Sequence, residues 1–145
     1  MTIESDLGRS DQSNAPLSAQ RPPRMRFILI CSADATLAAL VGWNLARRGF
    51  EARLVTWAPC CSDWPGEIVD EPDLIVADLG CPEPWCWHGV DRVRERFGSL
   101  PALFLTYGWP TRERLEACRP GGVIRKPFTI YDLLRALREM TAPAQ

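Results

Sequence analysis

The segment Phe27-Ile28-Leu29-Ile30-Cys31-Ser32-Ala33-Asp34 begins as an unbroken apolar run and then changes to small and polar residues. Such a run is typical of a strand that is buried on both faces of a parallel sheet. Apolar residues then recur at helical spacing from Leu37 to Leu45, and the pattern stops at Arg47-Arg48-Gly49, where cations and a glycine are typical of a helix end. The segment therefore predicts the first strand and the first helix of an α/β fold.

The same alternation continues along the chain. Further strands are predicted over residues 52–57, 74–77, 102–105 and 123–124, and further helices around residues 90–97, 112–118 and 129–140. Residues 62–69 are poorly patterned and can form at most a short helix. Five strands that alternate with helices predict a doubly wound parallel sheet with right-handed crossovers. Ligands and chemistry gather at the carboxyl ends of the strands in such sheets.

Composition limits the classes of function. The chain has 145 residues, which fits one domain, and its net charge is −1, so no global field attracts nucleic acid or anionic lipid. No apolar run approaches the ~20 residues of a membrane span, and the N-terminus has no signal-peptide pattern. We expect a soluble cytoplasmic protein with a flexible tail over residues 1–24, a folded domain over 25–140 and a frayed end over 141–145.

Three motifs occur in order on this element pattern. Pro72-Asp73-Leu74-Ile75-Val76-Ala77-Asp78-Leu79 ends a predicted buried strand on a carboxylate, and Pro82 follows four positions later. Leu105-Thr106 ends the next strand on a hydroxyl, and Lys126-Pro127-Phe128-Thr129 follows the last strand. With these motifs, residues 26–140 resemble the response-regulator receiver family, which has a flavodoxin-like fold with strand order 2-1-3-4-5.

The resemblance implies a role for each motif residue. Asp78 takes the position of the phosphoacceptor, Thr106 that of a hydroxyl that hydrogen-bonds the phosphoryl group, and Lys126 that of its ion-pair partner. A carboxylate can attack phosphorus, while a hydroxyl and an ammonium group stabilise the transferred oxygens. The alternative is purely structural, with Asp78 capping a turn and Lys126 pairing with it. The resemblance also implies a cis Lys126–Pro127 bond.

The metal site of the family is degenerate in this sequence. Receivers carry two adjacent carboxylates after the first strand, and Ser32 and Ala33 occupy those positions here. Magnesium usually needs one or two carboxylates, so we expect no firmly bound cofactor and weak magnesium binding at most. Asp34 is a weak candidate ligand, because its position favours a helix N-cap.

Two further departures concern switching in the receiver family. Tyr107 follows Thr106 where the family usually has a small residue, so its ring can obstruct the phosphorylation pocket. Val123 stands where many receivers have an aromatic residue that swings inward on phosphorylation. The usual coupling between the hydroxyl and that aromatic residue is therefore expected to be absent.

Tryptophan and cysteine are concentrated in the loops at the carboxyl end of the predicted sheet. The residues are Trp57, Cys60, Cys61, Trp64, Cys81, Trp85, Cys86, Trp87 and Trp109, with the sole histidine His88. They can form a lid over an inactive pocket with the thiols as small apolar fillers, or a partner or ligand surface that contains Trp57, Trp85, Trp87 and Trp109. A metal or redox centre is a third alternative, which ligand type favours and spacing does not. No disulfide is expected in a cytoplasmic chain.

These observations favour a non-enzymatic signalling module, an atypical stand-alone receiver without an output domain. We expect it to act through contacts with a sensor kinase, a phosphotransfer protein or a downstream regulator, or by forming a homodimer. Direct contact with nucleic acid or membrane is not expected. One alternative is a receiver that is phosphorylated on Asp78 in a phosphorelay, and another is a small-molecule or redox sensor that uses the Trp/Cys-rich loops.

Overall fold

The structure is a computed structural model that describes residues 27–57 and 71–141. Its elements, in chain order, are β1 (Phe27–Cys31), α1 (Ala35–Ala46), β2 (Glu51–Val55), β3 (Leu74–Leu79), a short 3₁₀ helix (Trp85–Trp87), α2 (His88–Phe97), β4 (Ala102–Thr106), α3 (Arg112–Ala117), β5 (Gly121–Arg125) and α4 (Ile130–Thr141).

The five strands form one sheet in the order β2-β1-β3-β4-β5, and every neighbouring pair is parallel. The predicted flavodoxin-like order is therefore confirmed. All six residues of β3 and all five of β4 are buried, whereas the edge strands β2 and β5 are partly exposed. The parallel arrangement brings the carboxyl ends of β1, β3, β4 and β5 to one edge of the sheet.

The strands bury both of their faces because successive side chains point to opposite sides of a sheet. On one face, Leu29, Ile75 and Phe104 pack in a cluster that includes residues of α2. On the other face, Ile28, Val76 and residues of α1 and α4 form a second cluster. The unbroken apolar runs of the sequence are thus explained by two cores separated by one sheet.

Arg94 of α2 fixes the irregular chain on both sides of β4. Its guanidinium donates hydrogen bonds to five backbone carbonyl oxygens, those of Gly98, Leu100, Ala117, Cys118 and Pro120, at 2.6–3.2 Å. Burial lowers the pKa of Arg94. Because backbone carbonyl groups away from regular structure need donors, this one side chain stabilises the path of two loops.

The observed bounds differ from the predicted ones at the sheet edges. The strand β2 covers residues 51–55 rather than 52–57, and β5 begins at Gly121, two residues before the predicted start. Gly121 has φ +137°, and a Cβ there would lie 1.9 Å from the Ala102 carbonyl oxygen, so this close pairing needs glycine. An apolar pattern cannot reveal such a position.

Some predictions concern residues outside the described ranges. These residues are the tail over 1–24, the segment 62–69, Cys60, Cys61, Trp64 and residues 142–145. Thr141 still belongs to α4, so that helix extends one residue beyond the predicted domain end. Within the described ranges, no helix is long and apolar enough to cross a bilayer.

Candidate functional site

Asp78 lies near the end of β3, and its side chain is held by residues from two other strands. Its Oδ1 atom lies 2.5 Å from the Nζ atom of Lys126, which follows β5. Its Oδ2 atom accepts a hydrogen bond of 2.6 Å from the hydroxyl of Ser32, which follows β1. Asp78 is 5% exposed and Ser32 is 1% exposed. The three residues therefore form a closed polar cluster under the carboxyl edge of the sheet.

The two carboxylate oxygens of Asp78 are held in different ways. Oδ2 accepts a short hydrogen bond from the Ser32 hydroxyl. Hydrogen bonds with an anionic acceptor are among the stronger ones in proteins. Oδ1 is buried and has no directed hydrogen bond from the described residues, although the Lys126 ammonium group is in ion-pair contact with it. The contact is an ion pair, because the separation is short and the two groups carry opposite charges.

The hydroxyl of Ser32 is fixed from both sides. It accepts a hydrogen bond of 3.0 Å from the Asp34 backbone N–H while it donates to Asp78. The Ser32 backbone is also bonded to Val55 O and Trp57 N beside β2. Ser32, which the sequence suggests only as a poor metal ligand, is therefore a positioned hydrogen-bond donor to the candidate phosphoacceptor.

Asp34 is the N-cap of α1, as the sequence predicts. Its Oδ1 atom accepts hydrogen bonds from the backbone N–H groups of Thr36 and Leu37 at 3.0 and 3.1 Å. Ala33 is exposed and offers no ligand atom from its side chain. Among the described residues, no group of three His, Cys, Asp or Glu side chains is arranged to hold a metal ion. One carboxylate engaged by a lysine and a serine does not fit magnesium, which prefers several free oxygen ligands.

Thr106 lies at the end of β4, and its hydroxyl is directed into the protein. It accepts a hydrogen bond of 2.9 Å from the Gly108 backbone N–H and is hydrogen-bonded to the Cys86 thiol. Burial raises the pKa of Cys86, and the bond from Thr106 opposes that rise. Within the described part of the chain, Thr106 is thus bonded to Gly108 and Cys86 and not to Asp78.

The ring of Tyr107 is close to Lys126. Its centroid lies 5.2 Å from Nζ, a cation–π distance, and the ring is 60% exposed. Tyr107 and Lys126 line a groove between α1 and the β5–α4 turn together with Asp34, Leu37 and Phe128. The side chain of Lys126 is 12% exposed, so both its partner Asp78 and the neighbouring ring shield it from water. The Lys126–Pro127 bond is cis, as expected.

The tryptophan residues divide into two groups. Trp57 and Trp87 are buried in the core cluster beside α2, whereas Trp85 and Trp109 are exposed. In the alternative of a partner or ligand surface, the exposed rings are therefore those of Trp85 and Trp109, whereas Trp57 and Trp87 are buried. For Trp87 the physical reason is the 3₁₀ turn, which directs Cys86 and Trp87 inward and leaves Trp85 in solvent, whereas Trp57 follows β2 and packs in the same core cluster. Partner binding by the exposed pair stays a prediction.

The cysteine residues also differ from one another. Cys31, Cys86 and Cys118 are free and buried, as expected for small apolar fillers. Burial raises the pKa of Cys31 to about 12 and that of Cys118 to about 11. Cys81 is disulfide-bonded, so the expectation of reduced thiols throughout is wrong at this position. The sequence could not reveal this bond, because spacing alone does not bring two thiols within bonding distance.

Glu83 and Arg125 are two further residues of the site that sequence reasoning missed. Glu83, in the loop after β3, accepts a hydrogen bond from Trp87 Nε1 at 3.0 Å. Arg125, the last residue of β5, donates to the carbonyl oxygens of Tyr107 and Gly108. Neither residue belongs to a motif. Arg125 is separated by 17 positions from Gly108 and by 18 from Tyr107, so no local sequence pattern predicts these contacts.

Comparison with known proteins yields distant relatives. No family profile matches the chain. Residues of the chain align with the DNA-binding transcriptional regulator NtrC of Rhizobium meliloti at 25% identity, over 77% of this chain and 24% of that protein. The response regulator Rre1 of Synechocystis aligns at 31% identity, over 51% of this chain and 34% of that protein. The chain thus matches about a quarter to a third of the length of these relatives.

Solved structures agree with the fold. The chemotaxis protein CheY4 of Vibrio cholerae superposes with a TM-score of 0.62 at 20% identity, over 80% of this chain and 98% of that one. At 20% sequence identity, this structural similarity shows the fold alone. The predicted resemblance is confirmed, because the chain has the fold of CheY-like receiver domains and one of the curated proteins that it resembles is a response regulator.

Proposed function

We propose that this receiver-fold domain transmits a signal through contacts with proteins and that magnesium-dependent phosphorylation of Asp78 is weak or absent. One observation carries the proposal. Both carboxylate oxygens of Asp78 are engaged within the protein, Oδ2 by the Ser32 hydroxyl and Oδ1 by the Lys126 ammonium group. A carboxylate with this environment is neutralised without a metal.

The chemistry of phosphoryl transfer gives the reason. The reaction needs a free carboxylate oxygen in line with the phosphorus atom, and a metal ion that neutralises the equatorial oxygens. In this protein, the hydrogen bond from Ser32 draws electron density from Oδ2 and so weakens it as a nucleophile, and the described residues offer no ligand set for the ion. Among the described residues that the receiver resemblance assigns to the phosphoryl group, Lys126 would be left to stabilise it, since Thr106 is bonded to Gly108 and Cys86.

The proposed partners are proteins of a two-component pathway, such as a sensor kinase, a phosphotransfer protein or a downstream regulator, or a second copy of this chain. The exposed rings of Trp85 and Trp109 support a contact surface at the carboxyl edge of the sheet, since aromatic residues dominate many binding hot spots. We propose that the domain acts in the cytoplasm, without catalysis and without direct contact with nucleic acid or membrane.

A phosphorelay receiver is the second candidate function. The presence of Asp78, Thr106 and Lys126 at three adjacent strand ends favours it. In that case, a phosphodonor has to compete with Ser32 for the Asp78 carboxylate, and the Thr106 hydroxyl has to turn toward Asp78. A redox sensor is a third candidate, which the disulfide at Cys81 in the loop after β3 favours.

Intact-mass spectrometry after incubation with acetyl phosphate separates the first two candidates. We expect the unmodified chain to gain little or no phosphoryl mass, with or without magnesium, and to behave like the Asp78→Asn variant. The Ser32→Asp, Ala33→Asp variant serves as the matched control with the acid pair restored. Rapid stoichiometric labelling of the unmodified chain at Asp78 would support the phosphorelay function and contradict the first proposal.

A further inference from the structure

The loop between β4 and α3, residues 107–111, is fastened on its β5 side by Arg125. The guanidinium donates from Nε to Gly108 O and from Nη2 to Tyr107 O, both at 3.1 Å. The same group stacks on the Trp109 ring, with 3.3 Å between the guanidinium carbon and the ring centroid. Arg125 therefore contacts three consecutive residues of the loop. Its planar, forked donor geometry suits this role, and lysine could not reproduce it.

The loop is fastened on its opposite side by Glu83. The Oε2 atom accepts hydrogen bonds from the Trp109 backbone N–H at 3.3 Å and from Trp87 Nε1 at 3.0 Å. It also lies 3.7 Å from Arg114 of α3, whose guanidinium is over the Trp87 ring at 5.1 Å. One carboxylate thus joins the loop after β3, the loop after β4 and the helix α3.

Gly108 lies between the contacts made by Arg125 and those made by Glu83. It is buried, and a Cβ at this position would lie 2.9 Å from Glu83 Cγ and 2.9 Å from Trp87 Cζ2. Glycine therefore lets the loop approach Glu83 and Trp87 more closely than any other residue would. The Gly108 N–H donates to the Thr106 hydroxyl, so the position of the loop determines the direction of that hydroxyl.

We propose that Glu83 and Arg125 act as a clamp that locks the β4–α3 loop and thereby holds Thr106 on Gly108 and Cys86, away from Asp78. This inference rests on the proposed function and names its regulation. Rotation of Thr106 toward Asp78 breaks its bond with Gly108, and movement of Gly108 breaks the contacts of Glu83 and Arg125. The surface of this loop consequently keeps one conformation, regardless of whether Asp78 is phosphorylated.

The reactivity of Cys86 measures opening of the clamp. Its thiol is buried and bonded to Thr106, and a thiol reagent reaches it when the local structure opens. We expect Glu83→Ala to speed labelling of Cys86 at least 10-fold, and Glu83→Gln, which keeps an acceptor for Trp87, to have a smaller effect. Glu116→Ala, at an exposed glutamate of α3, is the matched control and should leave the rate unchanged.

Two internal measurements make the result decisive. Cys31, buried in β1, reports global opening, and its labelling rate should change less than 2-fold in Glu83→Ala. Hydrogen exchange at the Gly108 amide should accelerate in parallel with the labelling of Cys86. The clamp is disproved if Cys86 in Glu83→Ala reacts at the control rate, or if Cys31 accelerates as much as Cys86, since the glutamate then acts on overall stability. No metal or phosphodonor is used, so failure of the clamp is distinguishable from failure of the proposed function, which the phosphorylation experiment reports.

Discussion

Replacing Ser32 with alanine removes the donor that holds Oδ2 of Asp78. The lost bond is 2.6 Å long, its acceptor is a carboxylate, and both side chains are at least 95% buried. Hydrogen bonds to charged groups contribute about 1.5–3 kcal/mol, and a buried acceptor that is left unsatisfied adds a desolvation cost. Water is poorly placed to replace the hydroxyl at this depth. We therefore expect Ser32→Ala to lower the free energy of unfolding by about 2–3 kcal/mol.

Urea denaturation provides the assay, with Ser99→Ala as the control at an exposed serine. Surface substitutions of this kind change stability by less than ~0.5 kcal/mol. With a typical dependence of about 1–3 kcal/mol per molar urea, the midpoint of Ser32→Ala should fall by about 0.7–3 M.

A double-mutant cycle assigns the loss to the Ser32–Asp78 pair. In an Asp78→Ala background the acceptor is absent, so Ser32→Ala should cost less than ~1 kcal/mol, mostly through the bond from the Asp34 N–H. The reasoning is refuted if Ser32→Ala is no more destabilising than Ser99→Ala, or if its cost is the same with and without the Asp78 carboxylate.

Three further predictions concern the core. Arg94→Ala should lower the free energy of unfolding, measured in urea, by about 3 kcal/mol, because five carbonyl oxygens lose their shared donor. Arg94→Lys should recover less than half of this loss, because lysine lacks the forked donor geometry. Equal stability of the lysine and arginine proteins would contradict this prediction. Trp87→Ala should cost about 3–5 kcal/mol and Trp85→Ala less than ~1 kcal/mol, since the first ring is 5% exposed and the second 56%; comparable losses in thermal unfolding would show this burial to be wrong. Burial raises the pKa of Cys31 to about 12 and that of Cys118 to about 11, so these thiols ionise at lower pH in the unfolded chain than in the folded one. The free energy of unfolding should therefore fall as the pH rises from about 9 through these values. In urea titrations, Cys31→Ala should reduce that decline, and an unchanged decline would contradict the prediction.

The central strands and the main site residues are predictable from the sequence for a clear physical reason. The strands β1, β3 and β4 bury both faces, so each contains an apolar run, and the polar residue at or near the end of β3 and β4 stands out from it. Asp78 and Thr106 were therefore identified correctly as residues at the carboxyl edge, and Lys126 was placed there through its resemblance to the Lys-Pro motif of receivers. The edge strands β2 and β5 were placed less accurately, because half-exposed strands carry a weaker apolar signal.

Side-chain direction is what the sequence could not supply. Ser32 was considered only as a metal ligand, yet it donates to a residue 46 positions away, and the hydrophobicity of Trp87 did not reveal that its ring is buried. The role of Glu83 depends on a backbone N–H 26 positions further along the chain. Contacts of this range follow from the assembled fold and have no local pattern.

A magnesium titration followed by amide chemical shifts tests most directly the proposal that Asp78 does not bind magnesium firmly. We predict that low millimolar magnesium leaves the amide signals around Asp78 nearly unchanged in the unmodified chain, because Ser32 and Lys126 already engage its carboxylate. The Ser32→Asp, Ala33→Asp variant should show saturable shifts at the same residues, since two hard oxygen ligands are restored. Saturable binding of magnesium beside Asp78 at low millimolar concentration or below in the unmodified chain would contradict the proposed metal-independent role of this domain.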